Sequence, residues 1–114
     1  LHPRVRRQRQ MCIRDRYTMN HELLFSEVVS VEVSSRSVLP PPLVYRTIPG
    51  GKYVVFTHTG SLKSLPLTYQ YIWGTWSLTT QEKLDARDDF ELYDQRFLGF
   101  HHPGSQIDIY IPVQ

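Results

Sequence analysis

Hydrophobic and polar positions alternate with period two over residues 23–33, where Val29, Val31 and Val33 are separated by Ser30 and Glu32. That is the side-chain period of a strand, so the stretch predicts a half-buried strand. Residues 34–42 are a linker ending in Pro40-Pro41-Pro42, which cannot continue a sheet ladder and favours an extended polyproline stretch. Residues 43–48 form a short strand candidate, closed by the turn signal Pro49-Gly50-Gly51. Residues 52–58 predict a strong strand, because Tyr53, Val54, Val55, Phe56 and Thr57 are all good β formers. Thr59-Gly60-Ser61 then breaks it.

The period changes after that break. Leu62, Leu65, Tyr69, Ile72, Trp73 and Trp76 fall at offsets 0, 3, 7, 10, 11 and 14, one stripe at helical spacing. Ser61 or Ser64 caps this helix, and Pro66 sits in its first turn, where a missing N–H costs little. Residues 77–89 are polar and irregular, 90–93 predict a short strand, and 96–106 a loop. Residues 107–113 predict a strand with Ile107, Ile109, Ile111 and Val113 on one face, Asp108 and Tyr110 on the other. The second half therefore reads strand, helix, strand, strand, an α+β pattern with an antiparallel sheet.

A chain of 114 residues allows one domain. It has no apolar run long enough to span a membrane and no apolar leader at its start. Cys12 is the single cysteine, so neither an internal disulfide nor a multi-cysteine zinc site can form. The expectation is a cytoplasmic protein with no cofactor and no membrane partner. Charge is uneven: residues 1–16 carry six arginines against Asp15, while the other 98 carry seven basic against ten acidic residues. Three readings of the basic segment stand: a nucleic-acid arm, a solvated disordered tail, or a non-native stretch. For the last, residues 8–16 (QRQMCIRDR) resemble a translated sequencing adapter. On that reading the functional body is mildly acidic.

Candidate chemistry is sparse. No G-x-S-x-G elbow is present, Gly50-Gly51-Lys52 lacks the rest of a phosphate loop, and His101-His102 lie adjacent in a loop without metal-ligand spacing. His58 closes a strand and reads as a hydrogen-bonded structural residue. No catalytic residue or metal ligand is assigned. Two carboxylates stand out because they lie on strands. Alternation puts Glu91 with Tyr93, and Asp108 with Tyr110. If these strands pair as a hairpin, two acids and two tyrosines share one surface. Acid and rings together suit an organic cation, although the same pattern also describes an exposed polar face. Tyr69, Tyr71, Trp73 and Trp76 on the helix read first as core.

Four stretches carry a resemblance: YRTIPGGKYVVFTHTG (45–60), LPLTYQYIWGTW (65–76), DFELYDQRF (89–97) and IDIYIPV (107–113). In this order and spacing they resemble the GyrI-like small-molecule-binding domain, the effector-binding domain of AraC- and MerR-type bacterial transcription regulators. The resemblance implies two β-α-β-β repeats related by a pseudo-twofold, with a ligand cleft between them. Residues 22–33 would end the first repeat, 34–42 link, and 43–114 form the second. The first strand and helix of repeat one would be missing, leaving an apolar sheet edge and a helix face exposed. In multidrug-binding members a buried glutamate meets lipophilic cations, and the matching position is Glu91. Asp108 matches a position that often carries an acid, and Tyr110 and Trp76 fit the aromatic lining; with Tyr93 from the strand alternation, the expected ligand-binding set is Glu91, Tyr110, Trp76, Asp108 and Tyr93. The implied function is ligand sensing for transcription, with DNA met only through a helix-turn-helix absent from this chain. Alternatives are a stand-alone GyrI-like protein that binds a protein such as a topoisomerase, or a small-molecule hydrolase of the same fold.

Overall fold

A computed structural model describes the backbone of residues 9–19 and 22–114, and the side chains of 9–13 and 27–114. Five strands form one sheet: β1 (Gln10–Met19), β2 (Glu22–Val31), β3 (Tyr53–Thr59), β4 (Asp89–Tyr93) and β5 (Gln106–Pro112). Their order across the sheet is β2-β1-β4-β5-β3, and every pairing is antiparallel. One helical segment lies between β3 and β4. A 3-10 turn, Leu62–Ser64, leads into α1 (Leu65–Tyr71), which continues through a π-helical stretch, Ile72–Trp76, to a last turn, α2 (Ser77–Thr79). The architecture is α+β, as the alternation of periods predicts.

The strong periodic signals place their elements well. On β5, Ile107, Ile109 and Ile111 are buried, as is Val113 just beyond it. Ile72 of the helical segment meets Ile109 and Ile111, and Phe56, Leu65, Tyr69, Trp73 and Trp76 close around them. Burying side chains of this size supplies about 1.5–3 kcal/mol each and fixes the helix on β3 and β5. Ser61 is the cap: its hydroxyl accepts from the Lys63 N–H at 3.2 Å. His58 ties the end of β3 to the helix. Its Nε2 faces the Ser61 carbonyl at 3.1 Å and so donates, which leaves Nδ1 to accept from the Thr68 hydroxyl at 2.7 Å.

Two expectations fail. Residues 43–48 make no strand: Leu43 and Val44 are exposed, the Leu43 N–H closes a turn on the Pro40 carbonyl at 3.0 Å, and the Tyr45 hydroxyl bonds back to Ser37. The prolines direct this segment onto itself rather than onto a sheet edge. Nor does a disordered tail reach residue 16, because Gln10–Arg16 belong to β1, between β2 and β4. Arginine density hides a strand whose partners are remote in sequence, yet Ile13 is buried opposite Phe90. The rest of that segment, residues 1–8, lies outside the described residues. Among the described residues, no helix is long and apolar enough to cross a membrane.

Ile109 is central, because it faces Phe56 on one neighbour and Glu91 on the other while packing on Ile72. Ile109→Ala is expected to lower stability by about 2–5 kcal/mol, read by urea denaturation. A loss below about 1 kcal/mol would mean that the helix does not dock as described.

Candidate functional site

The sheet has two chemically different faces, and register decides which residue lies on which. Glu91 pairs with Ile109, and Ile109 with Phe56, so all three point to the helix. Asp108 pairs with Leu92 on one side and Thr57 on the other, and Tyr110 pairs with Phe90 and Val55. These point away from the helix. The expected single surface of two acids and two tyrosines therefore does not form. β4 and β5 do pair, but their register offsets Glu91 from Asp108 by one residue, and one residue moves a side chain to the opposite face. Glu91, Tyr93 and Trp76 share the helix face, whereas Asp108 and Tyr110 lie on the far one.

On the helix face Glu91 is 6% exposed. Its Oε1 accepts from the Tyr93 hydroxyl at 2.7 Å, two residues along the same strand. Its Oε2 accepts a short hydrogen bond from the Tyr69 hydroxyl of α1. Cys12 stands across the ladder on β1. Both hydroxyl partners are neutral, and among the described residues no ion pair includes Glu91. Each oxygen has a donor, yet none of the described side chains brings an opposing charge, in a setting where an uncompensated charge is costly. Tyr93 shows the effect. Burial, then its bond to Glu91 and the charge there, push its phenol well above the ordinary tyrosine value. Phe97 meets the Tyr93 ring edge-on at 5.1 Å. Trp76 sits edge-on to Phe56 at 5.0 Å. That contact is on β3, two strands from Glu91, or about 10 Å. Trp76 thus lines the same face, packed on the Ile72, Ile109 and Ile111 cluster.

The far face resolves its charge internally. Asp108, 9% exposed, accepts from the Thr57 hydroxyl at 2.8 Å and from Arg96 Nη2 at 2.6 Å. Arg96 also grips Asp94 through Nε and Nη2, each at 2.9 Å. One guanidinium therefore bridges two carboxylates, holding Asp94 below the usual carboxylate range and raising its own pKa. Tyr110 stacks on Phe90 at 4.5 Å and meets Tyr53 edge-on at 5.8 Å. Asp108 and Tyr110 are thus occupied by partners within the fold. Among the described residues, no group of three or more metal-ligating side chains gathers.

Tyr69 was not foreseen as a site residue. Its place in the apolar stripe gives it a core reading, but a buried tyrosine needs a partner for its hydroxyl, and that need was the available signal. Arg96 lies in a loop, where sequence gives no hint of two carboxylate partners.

Two comparisons bear on this geometry. The family model described as Cass2, integron-associated effector binding protein, matches residues 2–113, a span that includes β1. The transcriptional regulator BrlR of Pseudomonas aeruginosa is 37% identical over 89 residues, covering 78% of this chain and 33% of that protein. The chain thus spans about a third of the length of the curated relative it matches.

Two expectations follow. In a phenolate absorbance titration Tyr93 ionises above the ordinary tyrosine range, and Glu91→Gln moves that step down, toward but not to the ordinary value, because burial remains. Tyr93→Phe identifies the step by removing it. Asp94 responds at the acid end. Its depressed pKa adds stability above the ordinary carboxylate value of about 3.9, and this is lost as pH falls through the lower folded-state value. Urea denaturation of Asp94→Asn should lack that part of the wild-type acid dependence.

Proposed function

The chain belongs to the family of integron-associated effector-binding proteins, and from that premise we propose that it is a ligand-sensing module that seats a lipophilic organic cation against Glu91. The observation that carries this reading is the state of the Glu91 carboxylate, buried and bonded to two tyrosine hydroxyls, with no ion pair to any of the described side chains. A cation without strong hydration gains most from such a place. It meets a full negative charge in a low effective dielectric, and aromatic rings beside it add cation–π attraction of about 0.5–2 kcal/mol.

In this reading the contact residues are Glu91, Tyr93 and Tyr69, and Trp76 extends the aromatic wall. Asp108 and Tyr110 support the sheet from behind. The domain binds and does no chemistry. The similarity to a protein named as a transcriptional regulator supports a sensory role in transcription, with DNA contacted by another part of such a regulator. Helix α1 meets the site through Tyr69, so an incoming cation competes with that hydroxyl for the same oxygen.

The test is a calorimetric titration of the chain with tetraphenylphosphonium, using triphenylphosphine oxide as an uncharged counterpart. Glu91→Gln should weaken the cation by about tenfold or more, which is 1.4 kcal/mol or more, and change the neutral compound little. Asp108→Asn should leave the cation's affinity within about twofold once folding is verified. Equal binding of the cation by wild type and Glu91→Gln would contradict the proposal.

A further inference from the structure

Two directional bonds straddle the apolar seat of the helical segment. Ile72 rests on Ile109 and Ile111 of β5, and β5 lies between β4 and β3. Toward β4, the Tyr69 hydroxyl donates to Glu91. Toward β3, the Thr68 hydroxyl donates to Nδ1 of His58 at 2.7 Å. Thr68 and Tyr69 are adjacent in α1, so their side chains leave it about 100° apart.

The bond to His58 is not the local one a helical hydroxyl ordinarily makes. Ser77 and Thr79 return theirs to carbonyls four residues back, at 2.7 and 2.9 Å. Thr68 sends its proton across to the sheet instead. His58 is 5% exposed, and its Nε2 is committed to the Ser61 carbonyl at 3.1 Å. The ring is thereby held in one tautomer, with its acceptor aimed at α1.

α1 carries few holds of its own. It has seven residues, no side-chain hydrogen bond from its N-cap Ser64, no acid in its first turn and no base in its last. A helix so short takes its placement from its surroundings. Apolar contact at Ile72 resists lifting, but it is non-directional and opposes rolling weakly. A tyrosine hydroxyl stands roughly 8 Å from the helix axis, given a Cα radius of about 2.3 Å. A roll of about 10° therefore carries it about 1.4 Å, enough to break a hydrogen bond.

We propose that His58 is a positioning residue of the Glu91 site: through Thr68 it sets the roll of α1 and so holds the Tyr69 hydroxyl on the carboxylate. The meaning of this for binding rests on the reading of Glu91 as the ligand group, since Tyr69 is then the internal competitor of an incoming cation. The geometry does not depend on that reading.

Urea denaturation of the whole chain in a double-mutant cycle tests the placement. Tyr69→Phe should raise the unfolding constant about tenfold or more. In Thr68→Val, which loses the bond to His58, the same change should cost less than about threefold, and in Thr68→Ser the full cost should return. His58→Gln keeps a partner for Ser61 and loses the acceptor for Thr68, so it repeats the cycle from the other side of the bond. A merely structural bond would leave the two hydroxyls additive, because they meet different partners. A cost of Tyr69→Phe undiminished in both Thr68→Val and His58→Gln would overturn the proposal. Titration with tetraphenylphosphonium reads the consequence for binding. Thr68→Val and Tyr69→Phe should each bind it about threefold tighter or more, and the double variant no tighter than Tyr69→Phe alone. Equal affinity in wild type and Thr68→Val would overturn that consequence. A wild type that does not bind the cation would count against the Glu91 reading, and the unfolding cycle would still decide the role of His58.

Discussion

A carboxylate inside a small sheet must be satisfied where it stands, and the Glu91 environment is built around that requirement. β4 carries it between β1 and β5, out of water's reach. Tyr93 supplies one donor from the same strand, and Tyr69 supplies the other from α1. The second bond is possible only because Ile72, Ile109 and Ile111 seat the helix over β5. Packing thus fixes the helix, the helix positions a hydroxyl, and the hydroxyl satisfies the acid. What these bonds do not provide is opposing charge, and on the proposed reading that is the property a ligand uses.

The two faces of the sheet give an internal control. Glu91 and Asp108 are carboxylates of similar burial on adjacent strands. Asp108 has a guanidinium at 2.6 Å and a hydroxyl at 2.8 Å, so its charge is compensated within the fold. Glu91 has two hydroxyls. Hydrogen bonds alone do not separate these cases, because both acids are bonded. Among the described side chains the partner's charge separates them, and on the proposed reading that difference makes one acid structural and the other the recognition group.

Much of the second half was legible because its periods are strong and local. Tyr53–Thr59, Asp89–Tyr93 and Gln106–Pro112 lie within a residue or so of the expected strands, and the helical stripe was read correctly through Trp76. β1 was not legible, since its arginines dominate the local pattern and its pairing partners lie elsewhere in the chain. The strand expected at 43–48 failed for the converse reason: its composition suits a strand, but no sheet edge receives it. Alternation assigned Glu91 with Tyr93 and Asp108 with Tyr110 correctly. The step from faces to a shared surface needed the register of β4 on β5, which no local pattern encodes. Tyr69 was concealed by its own stripe, because an apolar helix face does not reveal which member carries a hydroxyl to a buried acid.

The most direct measurement is a crystal structure of the chain soaked with tetraphenylphosphonium. The account predicts the cation on the helix face, beside the Glu91 carboxylate, with the Tyr69 hydroxyl displaced from it or sharing it and the Asp108–Arg96 pair intact. A cation seated on the face of Asp108 and Tyr110, or bound anywhere remote from Glu91, would contradict it.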